Sequence, residues 1–354
     1  MGHAAAGMPG TLLASPLIST TRQDVMFTPR STGLPGPRKF IGIGLMALSC
    51  GGAFAQAWPD RPIKMVIPFP PGGVSDVLGR FWAQKLGTAL RTSVVVENRG
   101  GAGTTIAANL VAKAPADGYT IYFTDVTTHA INATLYKNLP YNVEKDFTPI
   151  ALVASSPLVL VVPTSLPANT LPEFIALAKS KPDELNYASS GNGAILHLAG
   201  EMLKRATGIS MTHIPYKGSA EAVTATLGGQ TAATFSTLPA ALPHVKSGKF
   251  KALGVTSTTA SEAFPGVPPI ARTVPNYNVV LYSGILGPAG MPPAIVQRIN
   301  SEVSKIMKEP ETSKLYAGFG ADPVDVSPAD FGRQLSSLVE TMGQAVKQSG
   351  ASAN

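Results

Sequence analysis

The sequence predicts an α/β protein of two domains, each a mostly parallel sheet covered by helices. Strand-like and helix-like segments alternate along most of the chain, the pattern of sheets joined by helical crossovers. Removing an apparent leader of 55 residues leaves 299, more than one hydrophobic core ordinarily organises. Two candidate boundaries, at 155–157 and at the Pro/Gly-rich stretch 264–278, imply that the chain crosses into a second domain and returns. The expected division is a leader over 1–55, a discontinuous first domain over 56–157 and 279–354, and a second domain over 158–278. A cleft is expected at the two crossings.

The leader has the order of a secretory signal peptide. Arg38 and Lys39 precede an apolar run from Phe40 to Leu48, and small residues Ala53 and Ala55 mark a cleavage site after Ala55. The apolar run is too short to cross a bilayer, which takes about 20 residues. Cys50 follows Ala47-Leu48-Ser49 and gives an alternative, lipoprotein-type processing site; Met26 is an alternative start to Met1. Cys50 is the single cysteine of the chain, so no disulfide, thiol nucleophile or cysteine metal site is expected after cleavage. Export without disulfides points to a bacterial periplasm. The full chain carries a formal charge of +7 and the leader +3, leaving +4, mildly attractive to small anions. With no Lys/Arg run, no nucleic-acid partner is expected.

The elements follow in order. Residues 63–67 read as a strand and 77–90 as an amphipathic helix, with Ser75 and Asp76 as candidate N-caps. Strand 93–97, a Gly-rich turn, helix 104–113 and strand 120–124 come next. The segment 124–129 is polar and reads as a strand-end loop. Residues 156–162 form an apolar strand, 171–179 a helix and 186–188 a strand. Helix 194–206 shows Ile195, Leu198, Ala199, Met202 and Leu203 at one-face spacing. Helix 220–227, short strands 234–235 and 252–256, strand 279–286, helix 292–307 with proline in its first turn, and helical 328–349 complete the chain.

Three Gly-rich strand-to-helix turns stand out: Pro70-Pro71-Gly72-Gly73, Ser189-Ser190-Gly191-Asn192-Gly193, and Tyr216-Lys217-Gly218. Backbone N–H groups at a helix start have no partner in the helix, and the helix dipole adds partial positive charge there. In open α/β sheets ligands sit beyond the carboxyl ends of the strands. Three such turns around one cleft make an anion site rich in N–H and hydroxyl donors. Competing chemistry is poorly represented. No G-x-x-x-x-G-K-[ST] occurs, Gly191-Asn192-Gly193 lacks the third glycine of a dinucleotide fingerprint, and there is no G-x-S-x-G elbow. His129, His197, His213 and His244 lack metal-ligand spacing, so no metal or cofactor is expected. His197 is expected to pack or to bond a backbone group; His129, in the polar loop, is the better pocket candidate.

The chain resembles the solute receptors of tripartite tricarboxylate transporters, the Bug receptors. The resemblance runs from Trp58 to the C-terminus through Trp58-Pro59-Asp60-Arg61-Pro62-Ile63, Pro68-Phe69-Pro70-Pro71-Gly72-Gly73, Val96-Glu97-Asn98-Arg99 and Ala114-Pro115-Ala116-Asp117-Gly118-Tyr119-Thr120. It continues through Tyr187-Ala188-Ser189-Ser190-Gly191-Asn192-Gly193, His197-Leu198-Ala199-Gly200-Glu201, Pro215-Tyr216-Lys217-Gly218 and Leu227-Gly228-Gly229-Gln230. It implies a periplasmic, monomeric, two-domain binding protein of type II-like architecture that closes as a hinged trap and serves membrane permease subunits. It also implies a small organic carboxylate held by backbone groups and water at Pro71, Gly72, Gly73, Ser75 and Asp76, facing Ser189, Ser190, Gly191, Asn192 and Gly193. Two departures stand out: Gly100 where the family often has proline, and Ser236 where many members carry aspartate. Serine cannot pair with a ligand ammonium, which points to a mono- or dicarboxylate, aromatic ones included. Phe69, Thr127, His129, Tyr216, Gly218, Ser236 and Tyr282 are the remaining pocket candidates. Two other readings stay open: a periplasmic hydrolase using Ser75 or Ser190, and a ligand sensor feeding a signalling kinase.

Overall fold

The structure is a computed structural model that describes residues 25–29, 58–69, 71–72 and 74–353. The expected export segment from Arg38 to Ala55, with Cys50, lies outside the described residues, as do Pro70 and Gly73. The fold occupies the compact unit Phe54–Asn354.

In chain order the first elements are β1 (Ile63–Ile67), α1 (Val74–Leu90), β2 (Val94–Asn98), α2 (Thr105–Ala112), β3 (Thr120–Asp125) and α3 (Val126–Leu135). Then come β4 (Phe147–Pro163), α4 (Leu171–Ser180), β5 (Asn186–Ser189), α5 (Ile195–Thr207), β6 (Thr212–Pro215) and α6 (Ser219–Leu227). β7 (Ala233–Thr237), α7 (Leu238–Lys246), β8 (Phe250–Val255), β9 (Val280–Pro288), α8 (Pro293–Met307), α9 (Pro310–Phe319), β10 (Asp322–Pro323) and α10 (Pro328–Ser349) complete it. The strand order is β2-β1-β3-β9-β4-β7-β5-β6, with β8 and β10 also paired to β4.

The parallel pairs lie at the two ends of this order, β1 with β2 and β3, and β5 with β6 and β7. The middle is antiparallel, because β4 and β9 connect the two ends. β4 pairs with β9 from Phe147 to Pro157, then with β7 and β8 from Leu158 onward. Its 17 residues exceed the expected strand 156–162. The expected boundary at 155–157 falls inside this strand, and Pro149 sits at a bulge in the β4–β9 register, where a strand tolerates proline.

One further expectation is corrected, and two helices stand where none was expected. The loop at 124–129 is the end of β3 and the start of α3, because the Asp125 carboxylate accepts the N–H groups of Thr127 and Thr128 and caps a helix there. α7 is a helix despite Pro239 and Pro243; Pro239 falls in the first turn, where no N–H is required. α9 likewise starts on a proline, Pro310.

Helix-to-sheet packing is tight. Gly200 of α5 lies against the ring of Tyr187 on β5, where an added Cβ would overlap Cε2 and Cζ. That ring cannot retreat: it is fully buried, and its hydroxyl sits 2.8 Å from Glu201 Oε1 and 3.1 Å from the His197 carbonyl. Gly200→Ala is therefore expected to destabilise the fold by about 1–3 kcal/mol through overpacking, read as a lower urea midpoint with an unchanged slope.

Candidate functional site

Strand register determines which loops meet. β1, β2 and β3 run in parallel, so their carboxyl ends, and the starts of α1 and α3, share one edge. β5, β6 and β7 likewise deliver the starts of α5, α6 and α7 to one edge. Asp125, at the end of β3, is opposite Ser283 of β9, and Thr237, at the end of β7, is opposite Leu158 of β4. Between them Ser156 of β4 is opposite Leu281 of β9. Both sets of carboxyl ends thus converge on the middle of β4 and β9.

A cavity of about 110 Å³ lies at that convergence. Its walls are Val74, Ser75 and Leu78 of α1, Ser156, Pro157 and Leu158 of β4, Thr237, Leu238 and Pro239 at the start of α7, Leu281 and Ser283 of β9, and Phe319 of α9. A water needs about 10–15 Å³ of such space, so a small organic molecule can enter. Among the described residues no charged side chain lines it. Among the described residues, none of the hydroxyls of Ser75, Ser156, Thr237 and Ser283 has a hydrogen-bond partner in the protein. A larger groove of about 440 Å³ lies between α5 and α10, and another of about 430 Å³ lies along α6 beside Tyr216.

The first Gly turn is organised by Asp76. Its carboxylate accepts the Gly72 N–H at 2.9 Å, the Asn98 amide at 2.7 Å and the Arg80 guanidinium at 2.9 Å. Helix α1 consequently starts at Val74, three residues earlier than expected, with Asp76 inside its first turn. Burial would raise the Asp76 pKa, but the bonds from Arg80, Gly72 and Asn98 together hold it below the usual carboxylate value. The Gly72 N–H, expected to face a ligand, is spent on Asp76, and Gly72 has φ +91°, which favours glycine. Phe69 is half-buried, and its carbonyl accepts from Asn98. Pro71 and Gly72 are exposed, while Ser75 faces the cavity.

The second turn is organised by two histidines. Gly193 donates its N–H to His197 Nδ1 at 3.0 Å, and Ser189 Oγ lies 2.6 Å from His213 Nε2. The two rings stack with centroids 3.8 Å apart. Ser189 Oγ also receives the Gly191 N–H at 3.1 Å. Gly193 has φ +75° and packs on Leu135 of α3, where a Cβ would collide. Ser190 and Gly191 are half-buried and Asn192 is exposed. Tyr216 donates its N–H to the Ser189 carbonyl at 3.0 Å, joining the second and third turns. Gly218 precedes α6, whose first residue, Ser219, meets Ser236 Oγ at 3.1 Å. Ser236 is fully buried, and its neighbour Thr237 reaches the cavity. Among the described residues no hydrogen bond joins the first turn to the second.

Thr127 and His129 sit inside α3. Thr127 Oγ donates to the Val280 carbonyl at 3.0 Å and accepts the Tyr282 N–H at 2.9 Å, tying α3 to β9. His129 is fully buried, edge-on to Phe147 and 3.0 Å from the Val143 carbonyl; burial lowers its pKa to about 4. Neither Ser75 nor Ser190 has a histidine partner among the described residues. Ser189 does, but it is fully buried, its oxygen already engages Gly191, and burial lowers the His213 pKa to about 4, a weak base.

Sequence reasoning missed Ser156, Thr237, Leu281, Ser283 and Phe319. The register of β4 with β9 places Ser156, Leu281 and Ser283, that of β4 with β7 places Thr237, and no motif marks Phe319. The Asp76 cluster supports one expected outcome. Asp76→Asn weakens three bonds to a buried carboxylate and should destabilise the fold by about 1–3 kcal/mol at neutral pH. Because the folded pKa is depressed, that stabilisation is present above the ordinary value of 3.8 and fades as pH falls below it. Urea melts of both proteins at pH 7 and pH 3 should therefore show a clear difference in the first case and a smaller one in the second.

Comparison with known proteins agrees with this architecture. A family profile described as "Tripartite tricarboxylate transporter family receptor" matches residues 78–351. Protein BugT of Bordetella pertussis is 34% identical over 314 residues, covering 87% of this chain and 96% of BugT. Among solved structures, R. palustris Rpa4515 with adipate is 33% identical with TM-score 0.73, covering 83% of this chain and 99% of that one. The periplasmic binding protein BugD is 30% identical with TM-score 0.70, covering 84% of this chain and 100% of that one. MatC from Rhodopseudomonas palustris with bound malate is 29% identical with TM-score 0.69, covering 81% and 99%. The predicted α/β fold of a two-domain binding protein is thus the fold of its relatives. With the profile spanning most of its length and relatives a third identical along nearly all of it, the chain belongs to the tripartite tricarboxylate transporter receptor family.

Proposed function

We propose that this chain is an exported periplasmic receptor that captures a small organic carboxylate between its two halves and delivers it to the permease subunits of a tripartite transporter. The observation that carries this is the cavity at the crossing of β4 and β9, where among the described residues four hydroxyls are unengaged and no charged side chain enters. A carboxylate oxygen accepts from several hydroxyls and waters at once. Hydrogen bonds to a charged group contribute about 1.5–3 kcal/mol each, so several together reach micromolar affinity. Leu78, Leu158, Leu238, Leu281 and Phe319 suit the hydrocarbon body of such an acid. The adipate and malate in the titles of two similar structures are consistent with this class. The fully buried, uncharged Ser236 beside Ser219 offers no partner to an ammonium group.

The halves we assign are 58–157 with 279–353, and 158–278. They are joined where β4 changes partners at Pro157 and where β9 begins at Val280. Closure about these strands would press the second and third turns toward α1 and exclude water from the ligand. The receptor acts as a monomer, without cofactor and without nucleic acid. Delivery to a sensor kinase would use the same cavity and differs only in the membrane partner.

The test is a thermal-shift screen of adipate, malate, benzoate and related acids, with matched amines as controls. A bound acid at one hundred times its Kd adds about 2.7 kcal/mol and raises Tm with concentration. Thr237→Val, which removes one donor at the cavity edge, should weaken the best acid roughly tenfold, as expected for a charge-assisted bond. A folded protein that no carboxylate stabilises would contradict the proposal.

A further inference from the structure

Two histidines hold the ends of the turn at 189–193 and touch each other. His197 Nδ1 accepts the Gly193 N–H at 3.0 Å, so that nitrogen carries no proton, and the neutral ring has its hydrogen on Nε2. Nε2 faces Glu201 Oε1 at 3.8 Å; that carboxylate also binds the Tyr187 hydroxyl and Lys204 Nζ, each at 2.8 Å. The His213 ring stacks on His197 at 3.8 Å and its Nε2 meets Ser189 Oγ at 2.6 Å. The Tyr277 hydroxyl donates to the Ala199 carbonyl, two residues along α5. The other elements around α5 contribute apolar groups, Ile131 and Leu135 of α3, Phe235 of β7, and Met342, Ala345 and Val346 of α10. The titratable groups facing the pair are therefore Tyr187, Glu201, Lys204 and Tyr277.

We propose that His197 is a positioning residue for the ligand: its uncharged Nδ1 fixes the Gly193 N–H and with it the turn at 189–193, so a proton taken up there releases the turn and weakens carboxylate capture. The proposal rests on the receptor reading above. The geometry gives the sign. A proton on Nδ1 would set one N–H against another, and a second charge would arise 3.8 Å from the His213 ring. Burial lowers the His197 pKa, opposed by Glu201 and assisted by Lys204. Burial, and then His197 itself, lowers that of His213 to about 4. Both folded values lie below the ordinary 6.5, so the held turn persists above that pH and is lost as pH falls through the folded values.

The first readout needs no ligand. Amide hydrogen exchange of Gly193 is followed by NMR from pH 7 to pH 4, with Tyr187 and Ala188 of β5 reporting global stability. Protection of Gly193 should fall relative to those amides by up to about tenfold per pH unit once the ring titrates. His197→Asn places an acceptor that does not titrate near the Nδ1 position and should hold Gly193 protected across the range. His197→Leu should leave it exchanging fast throughout. A wild-type ratio that stays flat to pH 4, or one that falls equally in His197→Asn, overturns the proposal, and the wild-type arm needs no variant to fold. The second readout is calorimetric titration of adipate at pH 7 and pH 5. Adipate itself gains protons over this range in both proteins, so affinity should fall further in the wild type than in His197→Asn; equal falls in both overturn the link to capture. If no acid binds at pH 7 the receptor reading fails, and the amide arm alone decides the role of His197.

Discussion

The site exists because one strand changes partners. β4 is paired with β9 up to Pro157 and with β7 and β8 from Leu158, so a single length of backbone belongs to both parallel groups. Register then leaves little freedom. With Asp125 opposite Ser283 and Thr237 opposite Leu158, the carboxyl ends of both groups, and every helix start that follows them, face the same few residues. A slip of one residue in β4 would turn the Ser156 side chain to the opposite face and undo its pairing with Leu281. Backbone pairing, more than any side-chain motif, builds the pocket.

The Gly-rich turns work differently from a bare anion mouth. In each of the first two, a buried side chain from the following helix takes a backbone N–H, Asp76 from Gly72 and His197 from Gly193. The helix start is thereby fixed before any ligand arrives, which limits the ordering cost of binding. On the proposed receptor reading, what remains for a ligand is a set of hydroxyls, from Ser75, Ser156, Thr237 and Ser283, on an otherwise apolar wall.

Much of this was legible in the sequence, for identifiable reasons. Strand β1 and helix α5 carried clean periodicity and fell where expected, and the ordered motifs from Trp58 to Gln230 carried the family. Local chemistry hid other parts. The helices starting at Pro239 and Pro310 went unread because no expected element covered them, and Asp125 read as loop but caps one. His129 read as a pocket residue because its segment is polar, yet α3 turns its ring into a cluster with Tyr141 and Phe147. Ser156 and Ser283 could not be found from spacing, since only the pairing of β4 with β9 brings them near Ser75.

The central claim is that uncharged hydroxyls at the crossing of β4 and β9 hold the carboxylate. A crystal structure of the protein grown with the acid that stabilises it best tests this most directly. The account predicts carboxylate density in the cavity, within hydrogen-bond distance, directly or through one water, of at least two among Ser75, Ser156, Thr237 and Ser283. Density held instead by a lysine or arginine on the outer surface, with that cavity filled only by water, would contradict it.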